Sequence, residues 1–403
     1  MSSRVRVLFA IPHLAKGGGA ERVMLTLIER LDRRRFEPQL MVLDARLNEL
    51  ADRVPGDVPV IDLGVSRVRH AWRPMRAAIA AARPDVLLSG LGHLNLMIAM
   101  LRPWLPRTLA VIGRETAVVT AIHREYRTGA LRNLAYRWFY PNLDRVVCQS
   151  TDMRDDLVDR LGFPAARTCL IANPVDVERL RARALADDPA ASALMAGPPP
   201  PPNGRHGLGP HRLSATGTPL ELVAVGRLAP QKGFDLLIEA VSLLPAGTCR
   251  VVIIGDGPSR AALDAMIAKA RLESTVVLAG HQHNPHAFLA RADALVLSSR
   301  YEGMPNVMLE SLAIGTPVIA MPCPGGTREI ARRAGGVQLV SAISAAALAD
   351  AIAGFANRHG REDRDGDASP PTASAIDVTP YRAESIVRAY EDLILESVTG
   401  KSR

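Results

Sequence analysis

Two glutamates, Glu302 and Glu310, are separated by seven residues in the stretch Ser299-Arg300-Tyr301-Glu302-Gly303-Met304-Pro305-Asn306-Val307-Met308-Leu309-Glu310, and this setting suits an elongated anionic ligand. The stretch follows an apolar segment and runs on through Ala313-Ile314-Gly315-Thr316-Pro317-Val318-Ile319, which reads as strand, loop, helix, strand. Pro305 suits the first helical position and Gly315 the C-terminal stop. The helix would then begin at the loop, turning its first amides and the positive end of its dipole toward whatever the loop holds. A diphosphate would be well placed there, close to Gly303, Met304, Pro305, Asn306 and Val307. Glu302 would precede the helix, with Glu310 roughly 7 to 8 Å further along its axis. Two carboxylates could then address different parts of one ligand.

A second basic loop, Val225-Gly226-Arg227-Leu228-Ala229-Pro230-Gln231-Lys232-Gly233, joins an apolar strand to an amphipathic helix. Arg227 and Lys232 could neutralise phosphate charge, the work a metal does elsewhere. The chain's basicity is almost wholly arginine, with lysine only at Lys16, Lys232, Lys269 and Lys401, which makes Lys232 more telling. A third loop, Gly17-Gly18-Gly19-Ala20-Glu21-Arg22, brings backbone amides after the first strand. It fails as a dinucleotide fingerprint because Arg22 stands where the third glycine belongs. Gly255-Asp256-Gly257-Pro258 lacks that glycine too and reads as a plain turn.

The EGMPNVMLESLAIGTPVIA context, with the following Gly325-Gly326-Thr327-Arg328-Glu329, resembles the retaining GT-B glycosyltransferases of family 4, whose hallmark is two glutamates with seven residues between them. The resemblance is specific over about a hundred residues around this motif and weaker over the first half of the chain. It implies that Glu302 meets the donor sugar and Glu310 the ribose hydroxyls of a nucleotide-diphosphate sugar, most often a uridine one. Arg227 and Lys232 would belong to the family's basic loop, Gly18 and Gly19 to its glycine loop, and the backbone at His281 to the loop beside the nucleobase. Many family members place a histidine after a central strand of the first domain, whereas this chain has Ile112-Gly113-Arg114-Glu115. His93 is the nearest histidine, and His93, Arg114 and Glu115 are the candidates for the acceptor side.

These loops need scaffolds that present strand ends. Both halves alternate short aliphatic runs with helical stretches, the pattern of parallel α/β domains. In the first half, 5–11, 38–43, 86–89 and 108–112 read as strands; in the second, 220–225, 250–254, 276–279, 294–297 and 317–320 do. The expectation is two Rossmann-like domains facing each other across a cleft, 1–173 for the acceptor and 174–380 for the donor nucleotide. A helix within 381–403, patterned by Ile386, Ala389, Leu393 and Ile394, should return to the first domain. Segments 189–219, with five consecutive prolines, and 357–380 read as flexible and of low complexity.

Composition bounds the partners. The net charge is +8, and residues 1–178 carry 26 Lys+Arg against 19 Asp+Glu, so +7 of it lies in the first half. Aromatics at 4% and the lack of any nucleic-acid-binding motif argue against DNA or RNA. The stretch 123–140 mixes Arg124, Arg127, Arg132 and Arg137 with Leu131, Leu134, Trp138 and Phe139, as a helix resting on anionic lipid would. Four scattered cysteines suggest neither disulfides nor zinc, and Asp363-Arg364-Asp365 lies in polar low-complexity sequence rather than after a strand, so no metal or cofactor is expected. Neither a signal peptide nor a spanning segment is legible, which fits a cytoplasmic protein, peripheral at the inner face of the membrane. The expected activity is sugar transfer to a glycan or lipid-linked acceptor, with retention and without metal. The competing readings are an inactive nucleotide-sugar-binding protein, a sugar epimerase of the same fold or an NAD-dependent dehydrogenase. The intact glutamate spacing speaks against the last two.

Overall fold

A computed structural model describes residues 4–15, 19–46, 48–195, 219–365 and 376–401, with the backbone alone for 359–365. The chain divides into two units, one holding residues up to Pro174 together with Tyr381 onward, the other running from Val175 to Pro380.

The first unit contains strands β1 (Val5–Ile11), β2 (Phe36–Val42), β3 (Val60–Asp62), β4 (Val86–Ser89), β5 (Ala110–Arg114), β6 (Arg145–Cys148) and β7 (Thr168–Leu170) in one sheet of order β3-β2-β1-β4-β5-β6-β7. Every pairing is parallel. The period of two along a strand decides which layer each side chain enters. In β1, Val7, Phe9 and Ile11 point into one buried cluster, while Leu8 and Ala10 point into the other. Both faces are covered, which is why residues 7–11 of the strand read as an unbroken apolar run.

The C-terminal helix Ala383–Thr399 covers the first of these faces. Ile386, Val387, Tyr390, Leu393 and Ile394 join the cluster that holds Val7, Phe9 and Ile11. Ala389, expected on that stripe, is only partly buried, and Val387 and Tyr390 complete the face instead. Burying an aliphatic side chain contributes roughly 1.5 to 3 kcal/mol, so this face is what holds the helix to the unit. Glu391 adds a polar clasp by accepting the Asp32 amide at 2.9 Å.

The second unit contains β8 (Leu220–Val225), β9 (Cys249–Ile254), β10 (Val276–Gly280), β11 (Ala294–Leu297), β12 (Val318–Ala320) and β13 (Val337–Leu339), all parallel in the order β10-β9-β8-β11-β12-β13. In each sheet the order reverses once, between β1 and β4 and between β8 and β11. Loops leaving the carboxyl ends of strands at such a reversal diverge and open a crevice, where open α/β sheets bind ligands.

The structure adds strands β3, β6, β7 and β13, each only three or four residues long. β5 also lies two residues later than expected, because Leu109 is held in a turn by its amide bond to the Pro106 carbonyl at 3.2 Å. Two segments read as flexible are partly ordered. Residues Pro189–Leu194 form a helix capped by the Asp188 carboxylate, which accepts the Ala191 amide at 2.9 Å, and Met195 is buried behind it. The helix Ala345–Asp365 likewise runs well past 357. The proline run lies outside the described residues.

Candidate active site

The basic loop 226–233 leaves β8 and the loop 298–305 leaves β11, so both emerge at the strand reversal of the second sheet. They are stitched together. The Arg300 amide donates to the Gln231 carbonyl at 2.8 Å, Gln231 Nε2 to the Tyr301 carbonyl at 3.0 Å, and Ser298 Oγ to the Lys232 carbonyl at 2.9 Å. Arg300 also forms a two-pronged ion pair with Asp235, at 2.8 and 2.6 Å, which holds the Asp235 carboxyl below its ordinary pKa. Gly233 has a φ of 63°, and a Cβ there would lie 2.1 Å from the Ser298 carbonyl oxygen. No side chain fits where the two loops cross.

This stitching sets Glu302 against Lys232. Lys232 Nζ donates to Glu302 Oε1 at 2.7 Å and Ser299 Oγ donates to the same oxygen at 2.6 Å, with Glu302 only 5% exposed. Both donors address Oε1 rather than Oε2. Arg227 is exposed on the same loop, and its guanidinium has no ion-pair partner among the described residues. The glycine turn 255–258, read as a plain turn, braces this loop: the Leu228 amide donates to the Asp256 carbonyl at 3.0 Å and the Ser259 amide to the Leu228 carbonyl at 2.9 Å.

Beyond Glu302 the chain passes Gly303 and Met304, both buried, and enters the helix Asn306–Ile314, with Pro305 as its cap rather than its first residue. The helix ends at Gly315, whose φ of 102° is left-handed, where the stop was expected. Asn306 and Val307 are therefore its first amides, turned toward the loop that carries Glu302. The Glu302 amide donates to the Pro324 carbonyl at 2.9 Å, and Gly325, at φ 119°, would put a Cβ 2.4 Å from the Glu302 carbonyl oxygen.

Glu310 lies in the second turn of that helix, half-buried, with its Oε2 3.3 Å from His286 Nε2. His286 is 1% exposed in the short helix Pro285–Leu289. The sequence reading singled out His281 and missed His286, five residues on. His281 is exposed, its ring edge-on to His283 at 5.9 Å. The start of a helix at Asn284-Pro285 was the signal that could have shown His286 turning inward. Ser299 was missed as well, since a serine at a strand end carries no signature.

The acceptor-side candidates are placed differently. His93 is in the first turn of the helix Gly92–Leu101, after β4, and is exposed; partial desolvation, then His13 and Arg132 nearby, lower its pKa. Arg114 and Glu115, expected on the acceptor side at the end of β5, are interior groups at 1% and 3% exposure, each held by partners within its own unit. Arg114 Nη2 donates to Asn173 Oδ1, and Tyr390 of the C-terminal helix lies beside it. Glu115 accepts from the Tyr140 hydroxyl and from Asn95 Nδ2 at 3.3 Å. Burial pushes its carboxyl up to about 7, against the pull of Tyr140, Asn95 and Arg114. Gly92 makes room for this cluster, since a Cβ there would meet the Tyr136 hydroxyl at 2.5 Å and Glu115 at 3.0 Å. Of the glycine loop, Gly19 opens the helix Gly19–Arg30, while Gly18 lies outside the described residues. Among the described residues no group of three His, Cys, Asp or Glu side chains could hold a metal.

Two parallel-sheet units with paired glutamates and a basic loop at one strand reversal define a sugar-transferring enzyme of the GT-B class. The chain belongs to these glycosyltransferases: residues 17–179 match the model "Glycosyltransferase Family 4" and residues 211–365 the model "Glycosyl transferases group 1". It is similar, at 24% identity over 78% of this chain and 80% of the other, to the N-acetylgalactosamine-N,N'-diacetylbacillosaminyl-diphospho-undecaprenol 4-alpha-N-acetylgalactosaminyltransferase of Campylobacter jejuni. It is 30% identical to a GDP-mannose-dependent alpha-mannosyltransferase of Mycobacterium tuberculosis over 71% of this chain and 66% of that one. Its fold is similar to that of Anabaena Alr3699/HepE crystallised with UDP-glucose, with a TM-score of 0.73, 19% identity, and coverage of 98% of this chain and 100% of the other.

Proposed function

We propose that the protein transfers a hexose from a nucleotide-diphosphate sugar, with uridine diphosphate as the first donor to try, to a lipid-linked saccharide or glycan, with retention of configuration and without a metal. The observation that carries this reading is the Lys232–Glu302 pair at the strand reversal, with Glu310 one helix further on. Arg227 and Lys232 take up the charge that develops on the departing diphosphate, aided by the first amides of the helix Asn306–Ile314. Glu302 turns Oε2 to the sugar, where a carboxylate favours the positive charge growing at the anomeric carbon. Glu310 accepts from the ribose hydroxyls, and the loop at His281 borders the base. The similarity to a transferase whose name specifies a diphospho-undecaprenol acceptor supports a lipid-linked acceptor and a peripheral place at the inner face of a membrane. The GDP-mannose-dependent relative makes guanosine the alternative base.

The test is hydrolysis of a panel of UDP- and GDP-sugars, followed by transfer to polyprenyl-diphosphate saccharides, each with and without EDTA. Slow donor hydrolysis that survives the chelator supports the reading. Activity abolished by EDTA and restored by magnesium or manganese overturns its metal-free part. Donor binding without turnover on water or any acceptor makes the protein a nucleotide-sugar-binding module.

A further inference from the structure

The helix Gly129–Phe139 turns its largest apolar side chains outward. Leu131 is 66% exposed, Leu134 48% and Trp138 73%, three of the most exposed large apolar side chains among the described residues. At about 100° per residue they fall within an arc of roughly 60°. Asn133 and Tyr136 occupy the opposite side and face inward. Asn133 Oδ1 is 2.6 Å from His123 Nδ1, and Tyr136 stacks on Tyr140, ring centroids 4.0 Å apart. The helix is thus fixed to the core on one side and carries an apolar ridge on the other, where an ordinary surface helix carries charge.

Arginines border the ridge. Arg124, Arg127, Arg132 and Arg137 are exposed, Glu125 is the one acidic residue between 119 and 140, and the segment's balance is +3. Arg132 lies over the Tyr126 ring at 3.8 Å, so it presents a stacked cation beside another exposed aromatic, Tyr126 at 46%. An exposed apolar stripe flanked by cations, with a tryptophan at one end, matches a surface of hydrocarbon beneath anionic headgroups. We propose that this face docks on an anionic membrane, with Leu131, Leu134 and Trp138 entering the headgroup boundary and the arginines meeting lipid phosphates. The inference names the surface behind the membrane-associated reading above, and rests on that reading only for the choice of membrane as partner. It also ties docking to the first unit's interior. The inward face of the same helix holds Tyr136 against Tyr140, whose hydroxyl donates to Glu115 at the end of β5.

The test is sedimentation of the full chain with vesicles of phosphatidylcholine alone and of equal parts phosphatidylcholine and phosphatidylglycerol. Donor hydrolysis and thermal melting of every variant serve as controls that are independent of lipid. Binding should be confined to the anionic vesicles. The partition coefficient should fall roughly 25- to 30-fold for each arginine reversed in Arg127→Glu and Arg137→Glu, a change of two charges at about fivefold each. The triple variant Leu131→Ser/Leu134→Ser/Trp138→Ser should lose residual binding at high salt, where headgroup attraction is screened. All variants should hydrolyse donor at the wild-type rate, so a failure of docking is separate from a failure of the transferase reading. A folded triple variant that sediments as wild type overturns the proposal. Equal binding to neutral vesicles, or a wild-type dimer that the triple variant dissociates, does so too.

Discussion

Lys232 and Glu302, 70 residues apart in the chain, form an ion pair of 2.7 Å that joins the loops leaving β8 and β11. Glu302 is buried, and its lysine is only partly exposed, with side chains 7% and 20% accessible. A buried carboxylate stripped of its partner costs several kcal/mol, so the two side chains stabilise each other before either acts on a ligand. On the proposed function, a donor diphosphate would have to share Lys232 with Glu302.

Double-mutant coupling reads this pairing. Lys232→Met and Glu302→Gln should each lower the melting temperature, and the double variant should lose less than the sum, by about 1 to 3 kcal/mol. Strict additivity in denaturant titrations would show that the pair carries no mutual stabilisation. Lys232→Arg should recover only part of the activity lost in Lys232→Met, because a planar guanidinium cannot take the place of a compact ammonium against the Glu302 and Ser299 oxygens.

The two glutamates should respond differently to substitution. Glu302→Gln should depress kcat by about 100- to 1,000-fold with nucleotide affinity little changed, since its charge acts chiefly in the transition state. Glu310→Ala should weaken binding of the free nucleoside diphosphate by about 10- to 150-fold, the value of hydrogen bonds to a charged acceptor. Calorimetric titration beside initial rates separates the two; equal losses of affinity in both variants would refute the division of labour.

His286 lies 3.3 Å from Glu310, and on the proposed function it would act on a ligand only through that carboxylate, as a positioning residue. Its Nδ1 is buried with no hydrogen-bond partner among the described residues, a cost an apolar side chain in its place would avoid. His286→Phe should therefore preserve or raise stability while increasing KM for the donor about 5- to 10-fold, less than a direct bond to a charged acceptor because His286 would act only through Glu310, with kcat nearly constant. His286→Gln, which can still donate to Glu310, should recover most of that loss. A change in kcat alone, or no recovery with Gln, would remove the positioning role.

Glu115 sets a pH dependence of stability. Its carboxyl is raised from 4.5 to about 7 by burial. Between those values the folded chain keeps a proton that the unfolded chain has lost, so stability falls as pH rises through this window. It levels off once both forms are ionised, after a loss on the order of 3 kcal/mol. Glu115→Gln can still accept from Tyr140 and Asn95 and should gain on wild type in melting temperature from pH 5 to pH 8. A difference that stays constant over that range would show that Glu115 titrates normally.

Much of the local structure around Glu302 and Glu310 was legible in the sequence because its residues are close together in the chain. Glu302, Pro305, Glu310 and Gly315 lie within fourteen residues, so a cap, a dipole and a helical rise suffice to relate them. The main strands of both halves were legible for a similar reason, since apolar runs buried on two faces differ sharply from what flanks them. The tertiary structure decided what depends on distant contacts: the joining of Lys232 to Glu302, the turning of His286 rather than His281 inward, and the burial of Arg114 and Glu115 beneath Tyr140 and the C-terminal helix. It also decided that Leu131, Leu134 and Trp138 face outward, because an amphipathic pattern gives a helix two faces and only packing fixes which one meets the core. Short edge strands such as β3 and β13 escaped notice because three residues carry too little pattern, and pairing with a neighbouring strand is what makes them strands.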